Sequence, residues 1–171
     1  MGGDKLLIYL AGQITDWKQG HLWREAVSKI AEDNGHAVLN PLAYTDIDNK
    51  HGGYRELIMA RNIKLLKDAQ LLIVKWDDKR NSVGTVYEIA VARQQGIPIV
   101  VFASTPRMAD DLDNDPYMMH LHDMVSVQHF SIGNVKDVIE HFTECPEEWH
   151  EKYNRLVKGD RYAGMRGPSP F

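Results

Sequence analysis

Three unbroken apolar runs constrain this chain more than any other feature: "LLIYLAG" (6–12), "AQLLIVKW" (69–76) and "IPIVVFAS" (97–104). Each is too short for a packed helix and shows little polar alternation, the pattern of strands buried on both faces. Between them lie longer segments with helical spacing: "WKQGHLWREAVSKIAEDNG" (17–35), "YRELIMARNIKLLKD" (54–68) and "TVYEIAVARQQG" (85–96). The first of these ends at Asn34-Gly35, a helix-stopping pair. "HAVLNP" (36–41) supplies a further strand closed by Pro41, "MVSVQHF" (124–130) another, and "NVKDVIEHF" (134–142) a last helix. The stretch 105–123 reads as a lid or loop. Strand followed by helix, repeated, implies a parallel sheet covered on both faces. The expectation is a single doubly wound α/β domain with about five strands over residues 1–157, followed by a Gly/Pro-containing tail over 158–171.

A chain of 171 residues buries roughly two-thirds of its unfolded surface, enough for a self-sufficient core. Its 20 Lys plus Arg stand against 24 Asp plus Glu without a long run of either sign. That balance argues against nucleic-acid or membrane-surface partners, which need a concentrated positive face. Cys145 is the single cysteine, so an intrachain disulfide is excluded, and no Cys/His spacing suggests zinc. The N-terminal apolar run is far too short to span a membrane and lacks a signal-peptide pattern. A reducing, cytoplasmic setting is therefore expected.

In sheets of this kind ligands sit beyond the carboxyl ends of the strands, where the strand order switches. Segments 9–16, 76–88 and 103–107 should converge there. The sequence has no GxGxxG after the first strand, no GxxxxGK[ST], no G-x-S-x-G and no HExxH, so the usual cofactor and hydrolase motifs are missing. No cofactor and no metal are expected. The polar groups left at the mouth are Tyr9, Gly12, Gln13, Asp16, Asp77, Asp78, Ser82, Gly84 and Glu88. Glu88 has two readings. Thr85-x-x-Glu88 fits a capping box, with Glu88 reaching back to the start of its helix. A carboxylate near a helix N-terminus is also held ionised and can attack a sugar carbon. His120 and His122, with no third ligand in view, read as structural, and Trp17 and Trp23 as packing residues.

The set "IYLAGQI", "ARNIKLLKDAQLLIV" and "SVGTVYEIAVA…GIPIVV" resembles the nucleoside 2-deoxyribosyltransferase superfamily, which includes the 2'-deoxynucleoside 5'-phosphate N-hydrolases. The likeness covers residues 5 to 103 and extends more weakly to 143. It implies a flavodoxin-like fold, and it implies that Glu88, in the G-T-x-x-E pattern, attacks C1' of a nucleoside. By the same resemblance Tyr9 contacts the sugar or orients the glutamate, and Gly12 lets the backbone approach the ligand. Assembly as a homodimer or larger homo-oligomer is implied as well.

This chain departs from the family pattern in informative places. The usual Arg-Asp is here Arg61-Asn62, and Asn62 can hydrogen-bond a hydroxyl but cannot transfer a proton. Asp77 or Asp78 would then have to supply the acid, or the base leaves without one. Ser82 stands where monophosphate hydrolases carry serine and transferases often carry Asp. The loop "GQITDWKQG" lacks the hydrolases' Arg-Gly-Gly, and Tyr117 lies near where they place a phosphate-contacting serine. The resulting expectation is an enzyme acting on a small nucleoside or nucleotide, with Glu88, Tyr9 and Asn62 catalytic and Gly12, Gln13, Asp16, Asp78, Ser82 and Gly84 binding substrate. Transfer of deoxyribose to another base is favoured, because the phosphate loop is incomplete. Hydrolysis of 5'-monophosphates and a non-catalytic nucleotide-sensing module are the alternatives.

Overall fold

The computed structural model describes residues 5–12, 17–44, 55–77, 83–113 and 125–144. Five parallel strands, β1 (Leu7–Gly12), β2 (Ala37–Leu39), β3 (Leu71–Trp76), β4 (Ile99–Ala103) and β5 (Val125–His129), form one sheet in the order β2-β1-β3-β4-β5. Among the described residues, helices α1 (Trp17–Asp33), α2 (Arg55–Lys67), α3 (Val83–Gln95), α4 (Pro106–Asp113) and α5 (Ile132–Glu144) cover it, and Pro41–Tyr44 forms a 3-10 turn. This is the expected doubly wound α/β architecture, with the switch in strand order between β1 and β3.

The apolar runs become strands because both faces of the sheet are covered. Ile8, Leu10, Leu71, Ile73, Val100 and Phe102 point to one face, where Trp23, Val27 and Ala31 of α1 and Val135, Val138, Ile139 and Phe142 of α5 close over them. Tyr9, Ala11, Leu72, Val74, Ile99 and Val101 point to the other, under Leu66 of α2 and Ile89 and Ala92 of α3. The i, i+3, i+4, i+7 spacing in α5 is a helix's buried stripe, while β-strand alternation divides the strand residues between the two cores.

Local chemistry sets the ends of the elements. α1 stops at Gly35, whose φ of 80° permits the bonds from Gly35 N–H to Glu32 O (2.9 Å) and from His36 N–H to Ala31 O (2.9 Å). His36 is 5 % exposed and joins three elements: Nδ1 accepts from Leu6 N–H and Nε2 meets Thr143 Oγ1 at 2.7 Å. Thr143 donates to Ile139 O, so Nε2 carries the proton and the ring stays neutral; burial lowers its pKa accordingly.

Two sequence expectations change. The stretch 105–123 is not loop throughout, since Pro106–Asp113 is helical. Thr105 Oγ1 caps it by accepting from Met108 N–H at 3.2 Å, and Pro106 occupies the first helical place, where its missing N–H costs nothing. Residues 114–124 lie outside the described residues. The helix of Glu88 begins at Val83, so Thr85 is inside its first turn and buried. A capping box with Thr85 as the cap is therefore not formed.

β1 ends at Gly12, at φ 153°. A Cβ there would lie 2.9 Å from Lys75 O and 3.1 Å from Trp23 Cζ2. Gly12→Ala should lower stability by about 2 kcal/mol, as overpacked sites do, seen as a lower urea midpoint with an unchanged slope.

Candidate active site

Strand alternation turns Tyr9, the third residue of β1, toward the α2/α3 face, and the second turn of α3 brings Glu88 to meet it. Tyr9 Oη donates to Glu88 Oε1 at 2.6 Å, joining residues 79 apart in the chain. Burial raises the Glu88 pKa above its ordinary 4.5, against the opposing influence of the Tyr9 hydrogen bond and the Arg24 charge. Burial also raises the Tyr9 phenol, and Glu88 raises it further. Tyr9 is thus a donor at every physiological pH.

Arg24 is the buried cation beside this pair and the residue that sequence reasoning missed. It is 1 % exposed, on α1, with Nη1 donating to Gly20 O and Nη2 to Gly12 O, each at 2.9 Å. Its guanidinium lies 4.4 Å from the centre of the Trp23 ring. Burial pulls its pKa down to about 10, with Glu88 and Tyr9 opposing, and it stays charged at neutral pH. The available signal was periodicity: Gly20, Trp23, Arg24, Val27 and Ala31 form the buried stripe of α1, and a charged residue in such a stripe calls for a reason.

From α2, Arg61 lies 4.7 Å over the Tyr44 ring and lowers the Tyr9 pKa through its charge. Its Nε and Nη2 donate to Asn62 Oδ1 at 3.2 and 2.9 Å. Asn62 therefore offers a ligand its amide hydrogens. Gly12 sits at the mouth, its carbonyl held by Arg24. Gly84 is exposed on the first turn of α3. Gln13, Asp16, Asp78 and Ser82 lie outside the described residues. Asp77 is drawn to Lys75, Nζ to Oδ2 3.9 Å, on the α1/α5 side of the sheet edge.

On that opposite side a cavity of about 380 Å³ opens between α1, α5 and the ends of β3, β4 and β5, lined by Leu22, Trp23, Lys75, Ser104, Phe130 and Ile132. Trp23, 6 % exposed, is a core residue, edge-on to Phe130 at 6.4 Å. Among the described residues no group of His, Cys, Asp and Glu is placed to hold a metal ion, and no helix is long and apolar enough to cross a membrane.

A parallel sheet in this order, with a carboxylate and a phenol paired at the switch point, defines a doubly wound α/β protein able to hold a small ligand at its carboxyl edge. The family follows from the sequence as a whole: the model for nucleoside 2-deoxyribosyltransferase matches residues 8–154, and the chain belongs to that family. Solved structures share the fold. The 2-deoxyribosyltransferase of Bacillus psychrosaccharolyticus is 17 % identical with a TM-score of 0.58, over 77 % of this chain and 90 % of that one. The 2-deoxyribosyltransferase of Leishmania mexicana is 20 % identical with a TM-score of 0.60, over 81 % and 99 %. A conserved protein from Enterococcus faecalis V583 is 19 % identical with a TM-score of 0.63, over 81 % and 99 %. No curated protein matches the chain by sequence.

Because the Glu88 pKa is raised in the folded state, its neutral form is the one the fold prefers. Its contribution to stability is fully present below pH 4.5 and is lost as pH rises through the folded pKa. Glu88→Gln, which resembles the neutral acid, should therefore melt at a higher temperature than wild type at pH 7. The two should melt alike near pH 4, as measured by calorimetry across pH.

Proposed function

We propose that this protein transfers the deoxyribosyl group of a 2'-deoxyribonucleoside to another base through a covalent intermediate on Glu88. The observation that carries this reading is the 2.6 Å bond from Tyr9 Oη to Glu88 Oε1 in a chain of the nucleoside 2-deoxyribosyltransferase family. Tyr9 engages Oε1 and orients the carboxylate, so that Oε2 is the attacking atom. As the C1'–N bond lengthens, the sugar takes on oxocarbenium character and the Glu88 anion stabilises it. The C1'–Oε2 bond forms, and the C1'–N electron pair leaves with the base. An acceptor base then attacks C1' from the opposite side, gives up its N–H proton to solvent and frees the carboxylate.

Asn62 binds the sugar through its amide and supplies no proton. With Asp77 drawn to Lys75, the base departs as its anion without acid from either residue and takes its proton from solvent. Gly84 admits the ligand backbone-close, and Gln13, Asp16, Asp78 and Ser82 complete the substrate contacts, while Gly12 is packed against Lys75 and Trp23. No cofactor takes part. A reducing cytoplasm suits both the nucleoside substrate and the single Cys145.

Assembly is part of the reading. Leu57 and Met59 of α2 and Val83, Val86 and Tyr87 of α3 are each 49–86 % exposed on two helices that pack side by side. Val83, Val86 and Tyr87, at i, i+3 and i+4, share one face of α3, and an exposed apolar stripe there suits a second copy of the chain.

Two experiments test these proposals. Incubation with 2'-deoxynucleosides, with and without an acceptor base, should give the exchanged nucleoside on chromatography. Glu88→Gln should lower the rate by roughly 10³-fold or more while remaining folded. Full activity in folded Glu88→Gln would remove the nucleophile assignment, and free base from 5'-monophosphates alone would favour hydrolysis. In light scattering the wild type should show at least twice the 19.5 kDa of one chain. Val86→Glu should reduce that mass; a wild-type monomer at every concentration would refute the shared surface.

A further inference from the structure

Lys75 is a cation where the sheet would otherwise place an apolar residue. Along β3, Leu71 and Ile73 enter the α1/α5 core, and alternation sends Lys75 to the same face one residue before the strand ends. Its side chain is 18 % exposed. The ammonium lies 5.6 Å from the centre of the Phe130 ring, and the Asp77 carboxylate stands 3.9 Å away, beyond hydrogen-bonding distance. Among the described residues Nζ donates no hydrogen bond. Its three donors are left for whatever occupies the space in front of it.

That space is the cavity of about 380 Å³ between α1 and α5, in the size range of small-molecule pockets. Phe130 stands edge-on to both Trp23 and Phe102, at 84° and 88°. Its ring is thus held from two sides, and a flat aromatic guest can extend the same edge-to-face packing. Leu22 and Ile132, 53 % and 51 % exposed, form an apolar rim. Ile132 also opens α5, whose positive end adds to the Lys75 charge. Ser104 contributes no second donor, because its hydroxyl proton goes to Trp76 O at 3.0 Å. Among the described lining residues Lys75 is the only charged one. A single cation with the Asp77 carboxylate close by suits one negative charge and disfavours a phosphate dianion.

We propose that this cavity is a second binding site, on the sheet face opposite Tyr9 and Glu88, for a small aromatic monocarboxylate. The ring of the ligand lies against Phe130 between Leu22 and Ile132, and its carboxylate pairs with Lys75. The site stands independently of the chemistry proposed for Glu88. A concave space of this volume, with its charge set back from an apolar rim, takes a small molecule in preference to a flat protein face.

The test uses 2-naphthoate and its uncharged analogue 2-naphthylmethanol in equilibrium dialysis against the full chain. Naphthoate should bind saturably, and the alcohol should bind more weakly by about tenfold or more. Lys75→Met should weaken naphthoate by about the same factor and leave the alcohol unchanged, while Lys75→Arg retains naphthoate. Ala26→Phe, which fills the cavity from α1, should abolish binding of both. Excess inorganic phosphate and the variant Glu88→Gln should each leave naphthoate binding unaltered. Circular dichroism checks that every variant is folded. Equal affinity of the wild type for the two compounds would overturn the proposal without any variant. Displacement by phosphate, equal loss of both compounds in folded Lys75→Met, binding that survives in Ala26→Phe, or loss of binding in folded Glu88→Gln would do the same. So would a Leu22→Glu protein of half the wild-type mass in solution, since a second copy would then cover the cavity.

Discussion

A carboxylate held half-buried at the end of β1 is the interaction on which the rest of this structure turns. Removal from water favours the neutral acid, and the Tyr9 hydroxyl and the Arg24 guanidinium oppose that preference. Each imposes a demand on the scaffold. Tyr9 must be on the α2/α3 face of β1, as strand alternation requires. Arg24 must enter the buried stripe of α1 and find carbonyl acceptors there. β1 must end in a residue without a side chain, because Lys75 and Trp23 occupy the space a Cβ would need. These demands meet at Gly12, whose carbonyl takes Arg24 and whose Cα lies against its neighbours.

The sheet separates two chemistries at its carboxyl edge. On the α2/α3 face are the phenol, the carboxylate and the Arg61-Asn62 pair, with Tyr44 under Arg61. On the α1/α5 face is an apolar cavity with Trp23, Phe130 and the Lys75 ammonium. Alternation along β3 explains the division, for Trp76 joins the Tyr9 core while Lys75 turns the other way and takes Asp77 with it. Asn62, its oxygen engaged by Arg61, has no proton to transfer. The described face is thus rich in groups that orient and charge a carboxylate.

Much of the fold was legible in the chain because its signals are local. Unbroken apolar runs can be satisfied only between two covering layers, and Asn34-Gly35 ends α1 where only a left-handed residue closes the carbonyls. The boundaries read less well. Thr105-Pro106 is a helix start, yet the sequence of the short α4 it opens reads as loop. Thr85 resembled a cap, although α3 begins at Val83. In both cases a short polar motif is ambiguous until the neighbouring layer decides which backbone groups still need partners.

The sequence by itself determined the α/β class, the parallel sheet and, through family likeness, the prominence of Tyr9 and Glu88. Only the tertiary structure decided what surrounds them. The Tyr9–Glu88 bond spans 79 residues of chain, and Arg24 acts on that pair from the helix covering the other face of the sheet. No periodicity records either relation. Periodicity reports which face a residue shares with its near neighbours in sequence, whereas the charge of a buried carboxylate depends on every group folded to within electrostatic reach of it.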